Sequence, residues 1–299
     1  MKVLSLFDGI SCGKVALERA GFKNFTYYAS EIDKDAIKIS EYNHKDIIRI
    51  GDVCKVSYKD GVLYTENGNF SVGKIDLLIG GSPCQSFSQA AAHRGNQTGL
   101  DGKSKLFFEY LRILNEIKEE NPNLKFLLEN VKMKKESKIE LDEYLGVDGI
   151  YCNSELVSYQ KRSRFYWTNW SWDLPEDRKI SFQDHKQTVG TFKTLNKEMK
   201  SYQRMWNNGE GSNSQSSCAN VTNADKVYCL TTKQDRCPNS GLVAYEDFCR
   251  YLSQEELEMA QTLPIGYTSC VSYNKAAKAL GNGWTVDVIA HILSNLKGL

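Results

Sequence analysis

The amino-acid sequence predicts an α/β fold on a largely parallel sheet, and three observations carry that prediction. Short β-type runs alternate with helix-spaced stretches through the first half of the chain. The runs break at glycine or at acidic residues, where strand-to-helix turns are made. The 299 residues suffice for one large domain, or for one large and one small.

Residues 3–7 (VLSLF) read as a buried strand broken by Asp8 and Gly9, followed by a helix over 13–20 that stops at Gly21. Residues 25–32 (FTYYASEI) are the next strand, 34–42 a helix, and 47–53 (IIRIGDV) a third strand. The turn signals KDG and ENGN flank VLYT and predict an inserted hairpin. Residues 75–81 (IDLLIGG) form a fourth strand, 106–120 a helix and 125–131 (KFLLENV) a fifth strand. After Trp172 the character changes. Residues 207–225 are polar and rich in Gly, Ser and Asn, which suits a disordered loop, but β-type runs at 227–232 and 241–245 favour a small irregular β domain. Ser253 and Glu256 have the spacing of a capping box, and 285–296 has the pattern of an amphipathic helix.

Bulk composition narrows the function classes only a little. With 38 Lys and Arg against 37 Asp and Glu, a nucleic-acid binder would have to gather its basic residues on one face. The nine cysteines make no CxxC pair, so zinc-knuckle and redox-pair spacings are absent and no metal is expected. Neither a signal peptide nor a membrane span is read, and reduced thiols in a cytoplasmic compartment are expected.

The chemistry-bearing stretches begin with FDGISCG, residues 7–13, between a strand and a helix. Glycines there allow close backbone approach to a ligand, though the same turn serves as a plain strand-to-helix connection. Glu31 ends the second strand where such folds hydrogen-bond ribose hydroxyls. The full GxGxxG form is missing, which disfavours a nicotinamide cofactor. Asp33 and Asp35 read as helix N-terminal charges, and Asp52 as a turn residue or an adenine contact. In GGSPCQSFSQ, residues 80–89, Cys84 follows a proline on a small polar loop, a context for a nucleophilic thiol more than for core packing. Glu129 closes the fifth strand on the same edge; protonated by burial, it would donate to a ring nitrogen. Arg162 and Arg164 in QKRSR would project from one face of a strand and offer forked donors, unless they form a solvated basic patch.

Taken together and in this order, with a late GNGWTVDVIAHI, these stretches resemble the DNA (cytosine-5)-methyltransferase family. The resemblance covers roughly residues 1–170 and 250–299. LFDGI, ASEI, IGGSPC and KLFFEYLRIL are most similar to the animal de novo branch and its bacterial and phage relatives. It implies a Rossmann-like S-adenosylmethionine-dependent sheet over 1–169, a target-recognition region over 170–248, and a return to the catalytic domain over 249–299.

By the same resemblance, S-adenosylmethionine would be held by Phe7, Asp8, Gly9, Ile10, Ser11, Gly13, Glu31, Ile32, Asp52, Val53 and Pro83. Asn282, Trp284 and Val286 would close that pocket from the other end of the chain. Cys84 would attack carbon 6 of a flipped cytosine, Glu129 would meet its N3 and amino edge, and Arg164 with Arg162 would clamp its O2. Tyr202, Trp206, Asn207, Asn208 and Gln215 are candidates for contacting base edges or phosphates. The expected partner is double-stranded DNA, with the protein a monomer, prokaryotic or phage-encoded and at the nucleoid through its DNA. The alternatives are a transfer-RNA cytosine-5 methyltransferase, disfavoured by the missing Cys-Phe-Thr signature, and a non-catalytic DNA-binding relative. A thiol hydrolase ranks last, because the nearest histidine, His93, stands in no recognisable motif with Cys84.

Overall fold

The computed structural model describes residues 1–83, 105–196, 198, 199, 202 and 218–296. The expected catalytic thiol, Cys84, and the loop at 86–102 lie outside these residues, as do Trp206, Asn207, Asn208 and Gln215. Within them, the chain opens with β1 (Lys2–Leu6), α1 (Cys12–Arg19), β2 (Thr26–Ser30), α2 (Lys34–Asn43) and β3 (Ile48–Gly51). Next come β4 (Ser57–Lys59), β5 (Val62–Thr65), β6 (Gly68–Ser71), β7 (Leu77–Gly81), α3 (Lys105–Glu120) and β8 (Lys125–Val131). Then follow α4 (Lys135–Leu145), β9 (Ile150–Asn153), β10 (Ser163–Thr168), β11 (Thr194–Asn196), β12 (Val243–Ala244) and β13 (Phe248–Arg250). The helices α5 (Gln254–Ala260), α6 (Tyr273–Asn282) and α7 (Val286–Ser294) complete the described fold.

The main sheet has seven strands in the order β3-β2-β1-β7-β8-β10-β9. Its first five run parallel, and β10 lies antiparallel to both β8 and β9. Strand side chains alternate between two cores, as a sheet covered on both faces requires. Val3, Leu77, Ile79 and Leu127 face one core with α1, α2 and α7. Leu4, Leu78, Phe126 and Leu128 face the other with α3 and α4. Chain order reverses between β1 and β7, so their carboxyl ends open the crevice where α/β sheets take ligands.

Local signals account for several boundaries. Asp33 caps α2 by accepting from the Asp35 N–H at 2.9 Å. Ser253 and Glu256 make the anticipated reciprocal capping box on α5. The hairpin around VLYT has a third strand: Asp60 and Gly61 turn with positive φ between β4 and β5, and β6 pairs with β5. The expected third strand stops at Gly51, φ +77°, and Asp52 caps the short 3-10 turn Val53–Lys55 that follows.

The region after Trp172 differs from its sequence reading in detail. Residues 227–232 form no strand; Val227 makes one isolated parallel bridge to Gln160. Only Val243–Ala244 of the run at 241–245 is strand, in a three-stranded sheet of order β11-β13-β12. Tyr202 is buried with Leu195, Cys218, Leu242, Cys249 and Tyr251, which removes it from surface readout of bases. Among the described residues, no helix is long and apolar enough to cross a membrane.

Candidate active site

The turn between β1 and α1 is wound tightly at the sheet's carboxyl edge. Phe7, Gly9 and Ser11 all have φ near +60°, a left-handed backbone that only glycine adopts without strain. Asp8 holds the turn from beneath, accepting from Ser5 Oγ and Tyr27 Oη at 2.8 Å each and from the Ser11 hydroxyl. Arg49 Nη1 reaches the same carboxylate at 3.3 Å. Ile10 and Ser11 are buried too, and the Ile10 carbonyl accepts from Tyr267 Oη at 2.7 Å. The side chains of Asp8, Ile10 and Ser11 therefore shape the turn rather than face a ligand. Gly13 lies where a Cβ would come within 2.5 Å of Ile79 Cδ1, so α1 approaches the sheet as only glycine permits. Burial pushes the Cys12 thiol beside it up to about 12, an inert packing sulfur.

Glu31 ties this turn to the end of β2. One carboxylate oxygen accepts from the Gly9 N–H at 2.7 Å, the other from the Ile32 and Asp33 N–H groups at 2.8 Å each. Ile32, beside it, is 69% exposed, a large apolar side chain turned outward at the edge. Asp52 caps its 3-10 turn by accepting from the Cys54 N–H at 3.0 Å, and Val53 is buried. Pro83 is exposed at the point where the chain leaves β7 toward Cys84.

Across the switch point stands Glu129, buried at the end of β8. Its Oε1 lies 2.8 Å from Arg164 Nε, and its Oε2 accepts from Trp284 Nε1 at 3.1 Å. The sequence reading made Glu129 a lone buried acid and assigned Arg164 to another atom of the base; in the structure they pair. Register explains it: Tyr166 lies opposite Glu129 and Arg164 opposite Val131, which makes Arg164 and Glu129 diagonal neighbours on one face. Gly81 sits opposite Glu129 on β7, and a Cβ there would lie 2.7 Å from Trp284 Nε1 and 3.0 Å from Glu129 Oε2.

Arg162 does not share that face of a strand, because it precedes β10. Its buried guanidinium donates to the carbonyls of Leu230 at 3.1 Å, Gly281 at 3.3 Å and Gly283 at 2.8 Å. It braces the turn carrying Trp284. Gln160, fully buried, works alongside: it donates to Ala260 O and Gln261 Oε1 and accepts from the Leu230 N–H. Asn282, ending α6, is exposed, while Val286 is packed in the core with its N–H on Gln261 O.

The structure also brings in a sulfur that no sequence signal announced. Cys229 Sγ lies 3.4 Å from Arg162 Nη1. Burial alone would raise this thiol, but the adjacent guanidiniums of Arg162 and Arg164 outweigh it and bring the thiol below its ordinary value. Gly81, Gln160 and Gln261 were likewise unassigned. Only Gly81, next to a strand end, carried a local hint.

Comparison with known proteins bears on the family and the fold. Residues 1–145 match the family described as C-5 cytosine-specific DNA methylase. The orphan methyltransferase M.Rho11sI of Bacillus phage rho11s is 38% identical over 134 residues, 44% of this chain and 23% of that protein. The Type II methyltransferase M.FnuDI of Fusobacterium nucleatum is 39% identical over 132 residues, 44% of this chain and 33% of that protein. The matches thus span only a quarter to a third of these relatives' own length. In fold, the S. pombe Dnmt2 methyltransferase superposes with a TM-score of 0.72 at 18% identity, over 98% of this chain and 97% of that one. The resemblance carried by the motifs is borne out for residues 1–145, which are similar to C-5 cytosine-specific DNA methylases.

Proposed function

We propose that the protein methylates carbon 5 of a cytosine in double-stranded DNA, with S-adenosylmethionine as donor and Cys84 as a transient covalent nucleophile. The observation that carries this reading is the grouping of Glu129, Arg164 and Trp284 at the switch point, on the strand edge where Pro83 leads to Cys84.

The cofactor side fits its ligand. Glu31, anchored by the Gly9 N–H, retains acceptor capacity for sugar hydroxyls, and the outward Ile32 with Phe7 offers apolar surface to an adenine. When bound, S-adenosylmethionine supplies an electrophilic methyl group. Phe7, the backbone of the turn from Asp8 to Gly13, Glu31, Ile32, Asp52 and Trp284 would hold it.

The chain's own residues act on the base. Carbon 5 of cytosine is a weak nucleophile until a thiolate adds to carbon 6 and makes the ring enamine-like. The Cys84 sulfur forms that bond, and negative charge then develops across N3 and O2. Glu129 would meet the N3 and amino edge, and Arg164 O2, as fixed groups that need little reorganisation during the reaction. After transfer, a base takes the carbon 5 proton, and the electron pair left behind re-forms the carbon 5–carbon 6 double bond as the sulfur leaves as thiolate. These atoms are buried in the duplex stack, so the base must be everted first, at a cost of a few kcal/mol.

The test is covalent trapping. Purified protein, S-adenosylmethionine and DNA carrying 5-fluorocytosine at its methylation site should give an adduct stable to denaturation, and Cys84→Ala should give none. Undiminished methyl transfer by Cys84→Ala would defeat the assignment. Glu129→Gln is expected to slow transfer while leaving cofactor affinity nearly unchanged; equal losses would move Glu129 to the cofactor pocket. Transfer RNA offered beside DNA separates the two substrate classes.

A further inference from the structure

We propose that Trp284 is a positioning residue for Glu129: its indole N–H fixes the carboxylate that meets the base, and its ring links that carboxylate to the cofactor turn. The inference rests on the methyl-transfer reading above and deepens it.

The ring spans two glycines. At one end, Cζ3 lies 3.4 Å from the place a Cβ on Gly13 would occupy, against the first turn of α1. At the other end, Nε1 lies 2.7 Å from the place a Cβ on Gly81 would occupy and donates to Glu129 Oε2 at 3.1 Å. A side chain at Gly81 would push into the indole, and one at Gly13 would touch its far edge. Tryptophan is the one residue that joins a broad apolar plate to a single N–H donor, so it can rest on the turn and hold an acid at once.

The ring's backbone is itself fixed. Gly283, just before Trp284, has its carbonyl bonded by Arg162 Nη2 at 2.8 Å and Gln261 Nε2 at 3.1 Å. Thr285, just after it, donates to Gln261 Oε1 at 2.9 Å. Glu129 is thus gripped on Oε1 by a guanidinium and on Oε2 by an indole mounted on a braced turn. The terminal torsion of a glutamate is otherwise broad. With one donor removed, the carboxylate keeps its place on the strand but loses its orientation, and small misplacements of a reacting group cost rate steeply.

Two measurements test this. The chain has five tryptophans, and the indole N–H resonance that disappears in Trp284→Phe identifies the one at issue. In Glu129→Gln, with every tryptophan intact, that same resonance should shift while the others stay. A resonance that does not move overturns the contact. In kinetics, Trp284→Phe keeps an aromatic ring but loses the N–H donor and the second fused ring. It should lower kcat about 10- to 100-fold, well beyond any loss in S-adenosylhomocysteine binding. Added to Glu129→Gln, it should cost nothing further, because both act through one carboxylate. Additive losses, or an affinity loss equal to the rate loss, would overturn the positioning role. A wild type that methylates no nucleic acid defeats the parent reading; an active wild type with an undiminished Trp284→Phe defeats this inference alone.

Discussion

The two halves of the molecule satisfy their buried backbone by different means. In the seven-stranded sheet, ladder hydrogen bonds do so, and side chains are left to alternate between two apolar cores. From 218 to 285 there is little ladder, and fully buried polar side chains take over: Gln234, Arg250, Glu256, Glu258 and Gln261. Glu258 alone accepts from the N–H groups of Gly266 and Thr268, at 2.6 Å each. A regular half tolerates change wherever packing volume is kept. A braced half depends on single polar atoms, and it is this half that carries Trp284 to Glu129.

The sharpest way to break the contrast is Arg250→Met. Arg250 and Glu256 form an ion pair with both side chains fully buried, and Nη1 also donates to Tyr251 O. Removing one partner strands a buried charge and should cost about 3–5 kcal/mol, read as a lowered urea midpoint. A loss under about 1 kcal/mol would show that the pair behaves as a surface one and that the braced half is less dependent than argued.

Gly81→Ala probes the regular half where it touches the site. The added methyl meets Trp284 Nε1 and Glu129 Oε2, so a destabilisation of about 1–3 kcal/mol should come with a fall in kcat. Wild-type turnover in this variant would mean the indole and carboxylate have room to shift. The smallest effect is a titration. Thiol alkylation of Cys229, followed by mass spectrometry across pH, should reach half-maximum below the ordinary thiol value, and that of Cys54 above it. The reverse order would remove the arginines' influence on Cys229.

The same contrast governs how much was legible in the sequence. β1, β7 and β8 were readable because apolar runs buried on both faces leave a strong local signal. The capping box of α5 was readable because it needs only two residues at fixed spacing. Residues 227–232 misled because β-type composition does not supply a ladder partner, and their contacts run to Gln160 and Arg162 instead. β6 was missed because GNFS lacks alternation and pairs only through the turn before it. In the site, the residue types were legible as a set, but their pairing was not. Glu129 with Arg164 depends on antiparallel register, and Glu129 with Trp284 joins positions 155 residues apart.

That last separation has a consequence for synthesis. α7 packs on α1, Arg19 pairs with Asp287 between them, and Tyr267 closes on the Ile10 carbonyl. A growing polypeptide therefore exposes Glu129 and Arg164 well before the indole that orients one of them has left the ribosome. A product terminated before Trp284 would keep the pairing of Glu129 with Arg164 and lack the indole that holds the other carboxylate oxygen.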